Sequence, residues 1–250
     1  MKLASFDLEI SKAVSGDDWH AQRPLGISCA AVALSEPNAS ESYDFFLSSD
    51  NGPMSQNMAK QIVYALNDYV SSGYLLVTVN GLGFDFLILA EESGLWDQCG
   101  RLALNHHCDM MLMSLCRFGW PTGLDALAAG MKVAGKLHNV TLKDGTPIEN
   151  MSGARAPEMW ANGEREAVLA YLKDDVRSTV QIARAALNNY SLYWQSRKGV
   201  WYSVPLKTDE KGLAVLPTAT ECLSWRPRPD NSWMSNPMNP DDLAAWTKGK

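Results

Sequence analysis

Four carboxylates and a phenol, grouped in three short segments, are the residues whose types and spacing carry the most chemistry. Asp7 and Glu9 lie in "ASFDLEIS", Asp85 in "VTVNGLGFDFLIL", and Tyr171 and Asp175 in "LAYLKDDVRSTV". Charged oxygen donors are the ligands that hard divalent cations take. Two such cations about 3.5–4 Å apart clamp the attacking and leaving oxygens of an in-line displacement at phosphorus. Metal-dependent hydrolysis of a phosphodiester is the chemistry these side chains would support.

The elements around them must bring the three segments together. "KLASFDLEI" alternates as a short β-prone run and reads as an opening strand. Asp7 and Glu9, at i and i+2, then share one face while Leu8 points into the core. Alone this pair is weak, because D-x-E is common in a chain with 28 acidic residues. Asp85 follows a buried strand ending at Asn80, a turn containing Gly81 and Gly83, and begins a helix near Phe84 that ends before Gly94. Two readings stay open for Asp85. An acid in a first helical turn is favoured by the dipole, and a strand end followed by a helix start is also where α/β sheets hold ligands. Tyr171 and Asp175 are four apart in a helix expected from about Gly163 to Asn188, opened by Asn162, so both point from one face. The apolar neighbours Val168, Leu172, Val176 and Val180 half-bury that face. An unpaired carboxylate there is costly, and a metal would relieve the cost. Asp174 faces about 100° away and reads as a solvated neighbour.

Further strands are expected in "GISCAAVAL" and "SYDFFL", then an amphipathic helix with Ser55 as N-cap and Ile62, Val63 and Leu66 on its apolar face. Residues 109–117 and "GLDALAAGM" read as helical, and Lys132 to Trp160 as loop-rich. "NHHCD" at 105–109 reads as a turn whose Asp109 caps the next helix, since consecutive side chains diverge and no second ligand cluster stands at zinc spacing. Strands followed by interleaved helices imply an α/β sandwich around a mixed sheet.

The net charge of −6, from 22 basic and 28 acidic residues, argues against a non-specific grip on long duplex DNA and favours a footprint of a few nucleotides. Lys132, Lys136 and Lys143 are candidates for phosphate contacts, with a solvated surface as the default. Five cysteines in no C-x-x-C pair fit reduced thiols, and neither a membrane-length apolar run nor a signal-peptide apolar region is found, so a cytoplasmic location without membrane contact is expected. The last sixty residues hold Trp194, Trp201, Trp225, Trp233 and Trp246 among six prolines, with a hairpin expected at Asp209–Gly212. These tryptophans read as anchors for an irregular segment in preference to a base-stacking platform.

Taken jointly, "FDLE", "NGLGFD" and "YLKDD" (as Y-x-x-x-D) resemble the three motifs of the DEDD superfamily of 3′-to-5′ exonucleases over roughly residues 1–188. Ala170 stands where the histidine branch carries its histidine, so the chain resembles the tyrosine branch, and "NGLGFDFLIL" is similar to the proofreading domains of B-family DNA polymerases, here without a polymerase. The resemblance implies a ribonuclease H-like domain over 1–190, its mixed sheet flanked by helices, with a Trp/Pro-rich extension over 191–250 packed on it. It implies two Mg²⁺ or Mn²⁺ ions. Asp7, Glu9 and Asp175 would hold the one carrying the attacking water, Asp7 would bridge to the second, and Asp85 would support the second. Tyr171 would orient or deprotonate the water, while Asn80 and Phe84 would position the terminal nucleotide. The implied activity is release of mononucleotides from single-stranded or frayed 3′ ends, DNA in preference to RNA. RNA trimming by the same chemistry, and a non-catalytic nucleic-acid or protein-binding module, are the alternatives.

Overall fold

The computed structural model describes residues 1–16 and 18–248. A five-stranded mixed sheet is ordered β3-β2-β1-β4-β5, built from β1 (Lys2–Ile10), β2 (Ile27–Ser35), β3 (Ser42–Leu47), β4 (Tyr74–Thr78) and β5 (His107–Asp109). β1, β2 and β3 pair antiparallel, whereas β4 runs parallel to β1 and β5 parallel to β4. The expected turn at 105–109 is therefore corrected in part: residues 107–109 form the edge strand, buried throughout.

Strand alternation sorts β1 onto two layers. Ser5 Oγ donates to the Val176 carbonyl of α7 (Arg165–Asn189), so Asp7 and Glu9, two and four residues on, face the same long helix. Phe6 points the other way, its ring 5.6 Å from Phe86 on α2 (Asp85–Ser93). α1 (Gln56–Ser71) starts at Ser55, whose side chain accepts from the Met58 N–H, and it packs with α2, β4 and α3 (Trp96–Asn105), a helix without a sequence expectation. α7 starts at Arg165 rather than Gly163, and Asn162 closes the preceding α6 (Ala156–Ala161) instead of opening α7. Within the loop-rich stretch, β6 (Val140–Thr141) and β7 (Pro147–Ile148) make a small hairpin.

Residues after α7 pack mainly on the preceding helices. β8 (Ser191–Gln195) and β9 (Trp201–Pro205) form an antiparallel ribbon packed on α7 and on α5 (Leu124–Met131), which follows α4 (Met110–Phe118). The backbones of α5 and β8 touch at Gly130, where a Cβ would come within 2.2 Å of the Tyr193 carbonyl oxygen, so only glycine fits. The hairpin expected at Asp209–Gly212 is present as β10 (Lys207–Thr208) and β11 (Ala214–Val215). α8 (Ala219–Ser224) then packs on α3 and α4, and α9 (Pro240–Leu243) on α4. Trp194 is buried and Trp225 and Trp246 are half-buried, as anchors should be, but Trp201 and Trp233 are 56% and 69% exposed. For those two the anchoring expectation is corrected. No helix among the described residues is long and apolar enough to cross a membrane, and all five cysteines are free and buried.

Candidate active site

The cleft begins where two strands diverge. β1 pairs with β4 only as far as Ser5, and β4 ends at Thr78, so the far half of β1 has no strand partner on that side. Asp85 Oδ1 accepts the Leu8 N–H there at 3.2 Å, and the Asp85 carboxyl, when protonated, can donate to the Asp7 carboxylate. One acid from each of two segments is thus joined at the end of the sheet.

The connection to Asp85 is held rigidly. Asn80 takes the left-handed conformation (φ 77°), and its N–H and that of Leu82 donate to the two Asp109 carboxylate oxygens at 2.9 and 3.0 Å. Asp109 also caps α4 through Met111 and Leu112, so the expected cap braces the Asn80–Leu82 turn as well. Gly81 is there for space: a Cβ would lie 2.3 Å from Thr78 Oγ1, the atom that accepts the Gly81 N–H. From the tail, Trp246 Nε1 donates to the Leu82 carbonyl at 2.8 Å.

α7 supplies the third segment. Tyr171 and Asp175 are 2% and 3% exposed and face β1. Lys136, one of three loop lysines with a solvated default, instead enters the cluster. Its Nζ donates to Asp175 Oδ2 at 2.8 Å and to the Tyr171 hydroxyl at 2.9 Å. The loop is fixed by the Lys136 N–H on Asp125 and by Ser178 Oγ on the Gly135 carbonyl. Lys143 is tied to Glu164 and Lys132 ends α5, so neither joins the site. Asp174, expected to be solvated, is buried and ion-paired with Arg177 on the next helical turn.

Two cavities open on these residues. One, of about 340 Å³, is lined by Asp7, Glu9, Tyr171, Asp175, Phe84 and Trp19. The other, of about 300 Å³, is lined by Asp7, Asp85, Asp175, Asn80 and Gly123. Asp7, Asp175 and Lys136 line both, so all the expected site residues border two cavities that share these three side chains. Trp19 carries no motif in the sequence. Its ring lies edge-on to Phe84, centroids 5.0 Å apart, and stacks on His20. Its only sequence signal is an aromatic residue in a polar loop, which no spacing distinguishes.

Burial dominates the electrostatics. It raises the carboxyl pKa of Asp7, and raises those of Glu9 and Asp85 well above the usual range, with repulsion from Asp7 adding to both. Asp175 is pushed up to about 6 by burial and by Asp7, against the pull of Lys136. Burial opposes the Lys136 charge, but Asp175 and Tyr171 outweigh it and its pKa rises. Tyr171 is raised by burial and by Asp175, so its hydroxyl stays protonated at neutral pH.

Among the described residues no group of three or more His, Cys, Asp or Glu side chains is disposed, as it stands, to hold a metal ion, and the Lys136 ammonium supplies the counter-charge. The donor chemistry does fit a hard divalent cation: four carboxylates repel one another in a shared space, and buried Asp175 Oδ1 has no hydrogen-bond partner. This charge balance has a consequence for stability. A carboxyl whose folded pKa is raised holds its proton in the folded state while the unfolded chain releases it, so stability rises as pH falls from the folded pKa toward the unfolded one. In chelator, the melting temperature is expected to rise by several degrees between about pH 7.5 and about pH 5.5, at roughly 2–4 °C per kcal/mol for this size. A divalent cation should stabilise most at the higher pH. A melting temperature that falls steadily over that interval in chelator would contradict the repulsive cluster.

No protein-family model matches the chain, and no curated protein is detectably similar in sequence. Solved structures to which it is similar include apo exonuclease I, at TM-score 0.38 and 11% identity, covering 75% of this chain and 42% of that one. Others are exonuclease I of E. coli in complex with a 5cy-dT13 oligonucleotide (TM-score 0.35, 12% identity, 75% and 40% covered) and exonuclease I of Methylocaldum szegediense (0.32, 13%, 75% and 40%). The chain spans less than half the length of each.

Proposed function

We propose that the chain is a divalent-metal-dependent 3′-to-5′ exonuclease of the DEDD superfamily, tyrosine branch, with a ribonuclease H-like fold, acting on single-stranded or frayed ends and on DNA in preference to RNA. The observation that carries the reading is the meeting of Asp7, Glu9, Asp85, Tyr171 and Asp175, from three distant segments, around two cavities that share Asp7 and Asp175. The strand order, with three antiparallel strands joined through β1 to two parallel ones, supports the fold assignment.

Asp7, Glu9 and Asp175 would hold one cation and Asp7 with Asp85 the other, Mg²⁺ or Mn²⁺ by the all-oxygen donor set. Bound there, such ions lower the pKa of water and neutralise charge on the scissile phosphate. The chain's own residues do the rest. Tyr171, neutral in the metal-free protein because burial and Asp175 raise its pKa, would orient the attacking water by hydrogen bonding. Lys136 fixes Asp175 through Oδ2 and leaves Oδ1 free to ligate. Phe84 and Trp19 wall the first cavity, where the terminal base would stack, and Asn80 lines the second. A purely binding role is disfavoured because four mutually repelling acids lower stability with no return unless a cation joins them.

The deciding experiment incubates the protein with 5′-end-labelled single-stranded DNA or RNA, and with blunt duplex, in Mg²⁺, Mn²⁺ or chelator. A ladder shortening from the 3′ end, absent in chelator, slower on duplex and faster on DNA than RNA, is expected. Activity in chelator, cutting of a closed circle, or release from the 5′ end would overturn the reading.

A further inference from the structure

Gly123 lines the second cavity, and a Cβ there would meet no atom within 4 Å, so this side of the acid cluster has open space. Three residues back along the chain, a span of no more than about 11 Å, stands Trp120. Its ring lies edge-on to Tyr202 of β9 at 5.5 Å and to Trp233 at 6.3 Å, with interplanar angles of 81° and 70°. Tyr202 is itself stacked on buried Trp194, which fixes its plane. Trp233 is 69% exposed. Asn231 Nδ2 ties this loop to the Gly119 carbonyl, one residue before Trp120. Two residues beyond Tyr202, Val204 enters the wall of a larger cavity of about 490 Å³, lined also by Trp225 and by Arg117, Lys207 and Arg226. The one acid there, Glu221, is engaged in capping α8 through Thr218.

We infer that exposed Trp233, braced from below by half-buried Trp120 and Tyr202, forms a base-stacking shelf that carries a single strand of nucleic acid from the acid cluster toward this cationic groove. The inference rests on the nuclease reading and extends it to the strand that trails the scissile phosphate. An exposed aromatic ring suits single strands because every base has a π-face, and three cations in a molecule of net charge −6 supply the phosphate contacts that the acid cluster lacks. Placement fits as well. The terminal nucleotide would sit on the Phe84 and Trp19 side of Asp7, and the shelf begins on the Gly123 side. Recognition along the shelf would be tolerant of sequence and would reward length.

The test measures Kd by fluorescence anisotropy for a labelled trinucleotide and for an oligothymidylate of about fifteen nucleotides, with Ca²⁺ replacing Mg²⁺ to hold the substrate intact. The parent protein should bind the longer strand more tightly, and Trp233→Ala should reduce that length advantage by about tenfold, the scale of one lost base stack. Lys207→Gln with Arg226→Gln should flatten the salt dependence of long-strand binding by about one to two units of log–log slope. Because Trp233 is exposed, its variant should keep the parent's circular dichroism and melting temperature. A length advantage unchanged in both Trp233→Ala and Trp120→Ala would overturn the shelf while leaving the nuclease reading standing. Failure of the parent to bind either strand would overturn the nuclease reading, and the shelf with it.

Discussion

Asp7→Asn is expected to slow phosphodiester cleavage by about 10³-fold or more, the scale of losing an electrostatic stabiliser at a reacting centre, while leaving the metal-free protein at least as stable as the parent. Both halves follow from the position of one side chain. Asp7 lines both cavities, so it is the carboxylate through which two cations would be joined. It is also a source of the repulsion that raises Glu9, Asp85 and Asp175. Asparagine keeps the shape and an acceptor oxygen for Leu8 and Asp85, but removes the charge. Activity on end-labelled single strands and melting temperature in chelator test the two halves separately. A rate within tenfold of the parent would remove Asp7 from the centre, and a melting temperature lowered by many degrees would make it a structural residue. Added Mg²⁺ should raise the melting temperature of the parent and do so less for the variant.

Much of this was legible because the informative elements are local. β1 and β3 follow the expected runs closely, as does Ser55 as an N-cap, since alternation and capping depend on neighbours in the chain. The pairing of Tyr171 with Asp175 follows from helical geometry alone. What escaped depends on distance. Lys136 sits in a loop, 35 and 39 residues from its partners, and nothing local separates it from Lys132 or Lys143. By helical angle alone Asp174 would be solvated. The angle was sound, but Arg177 and the loop at Leu137 cover that side of α7. Trp19 matters only because its loop folds back over Phe84, held by the Arg23–Glu91 ion pair on α2. The strand at 107–109 was obscured by its three-residue length and by His107, a polar residue satisfied in the core by Thr78 and the Ala103 carbonyl. The tryptophans of the tail look alike in sequence, and only packing separates buried Trp194 from exposed Trp233.

Lys136→Met is the second change expected to act strongly, because one ammonium holds two site groups at once. Its Nζ fixes the Tyr171 hydroxyl and Asp175 Oδ2, and its charge lowers the pKa of Asp175 and Glu9. Methionine keeps the length and apolar stem while removing the charge and both hydrogen bonds. Removing one partner of a buried pair costs about 3–5 kcal/mol, and the 30% exposure of the lysine side chain brings the expectation down to about 1–3 kcal/mol in the absence of metal. The rate should fall by about 10²-fold, the scale of a small misplacement of the groups around a reacting centre. A third readout distinguishes positioning from simple loss of stability. Asp175 must be ionised to ligate, and without Lys136 its pKa climbs further above about 6. Proton competition then reaches higher pH, so the acid limb of the pH–rate profile at limiting Mg²⁺ should move upward. Lys136→Arg, which retains charge and a donor, should recover part of the rate and most of the shift. If the acid limb stays in place in Lys136→Met while the protein remains folded, Lys136 is only a counter-ion for the metal-free state, and Asp175 is held by Tyr171 and the packing of α7 against β1.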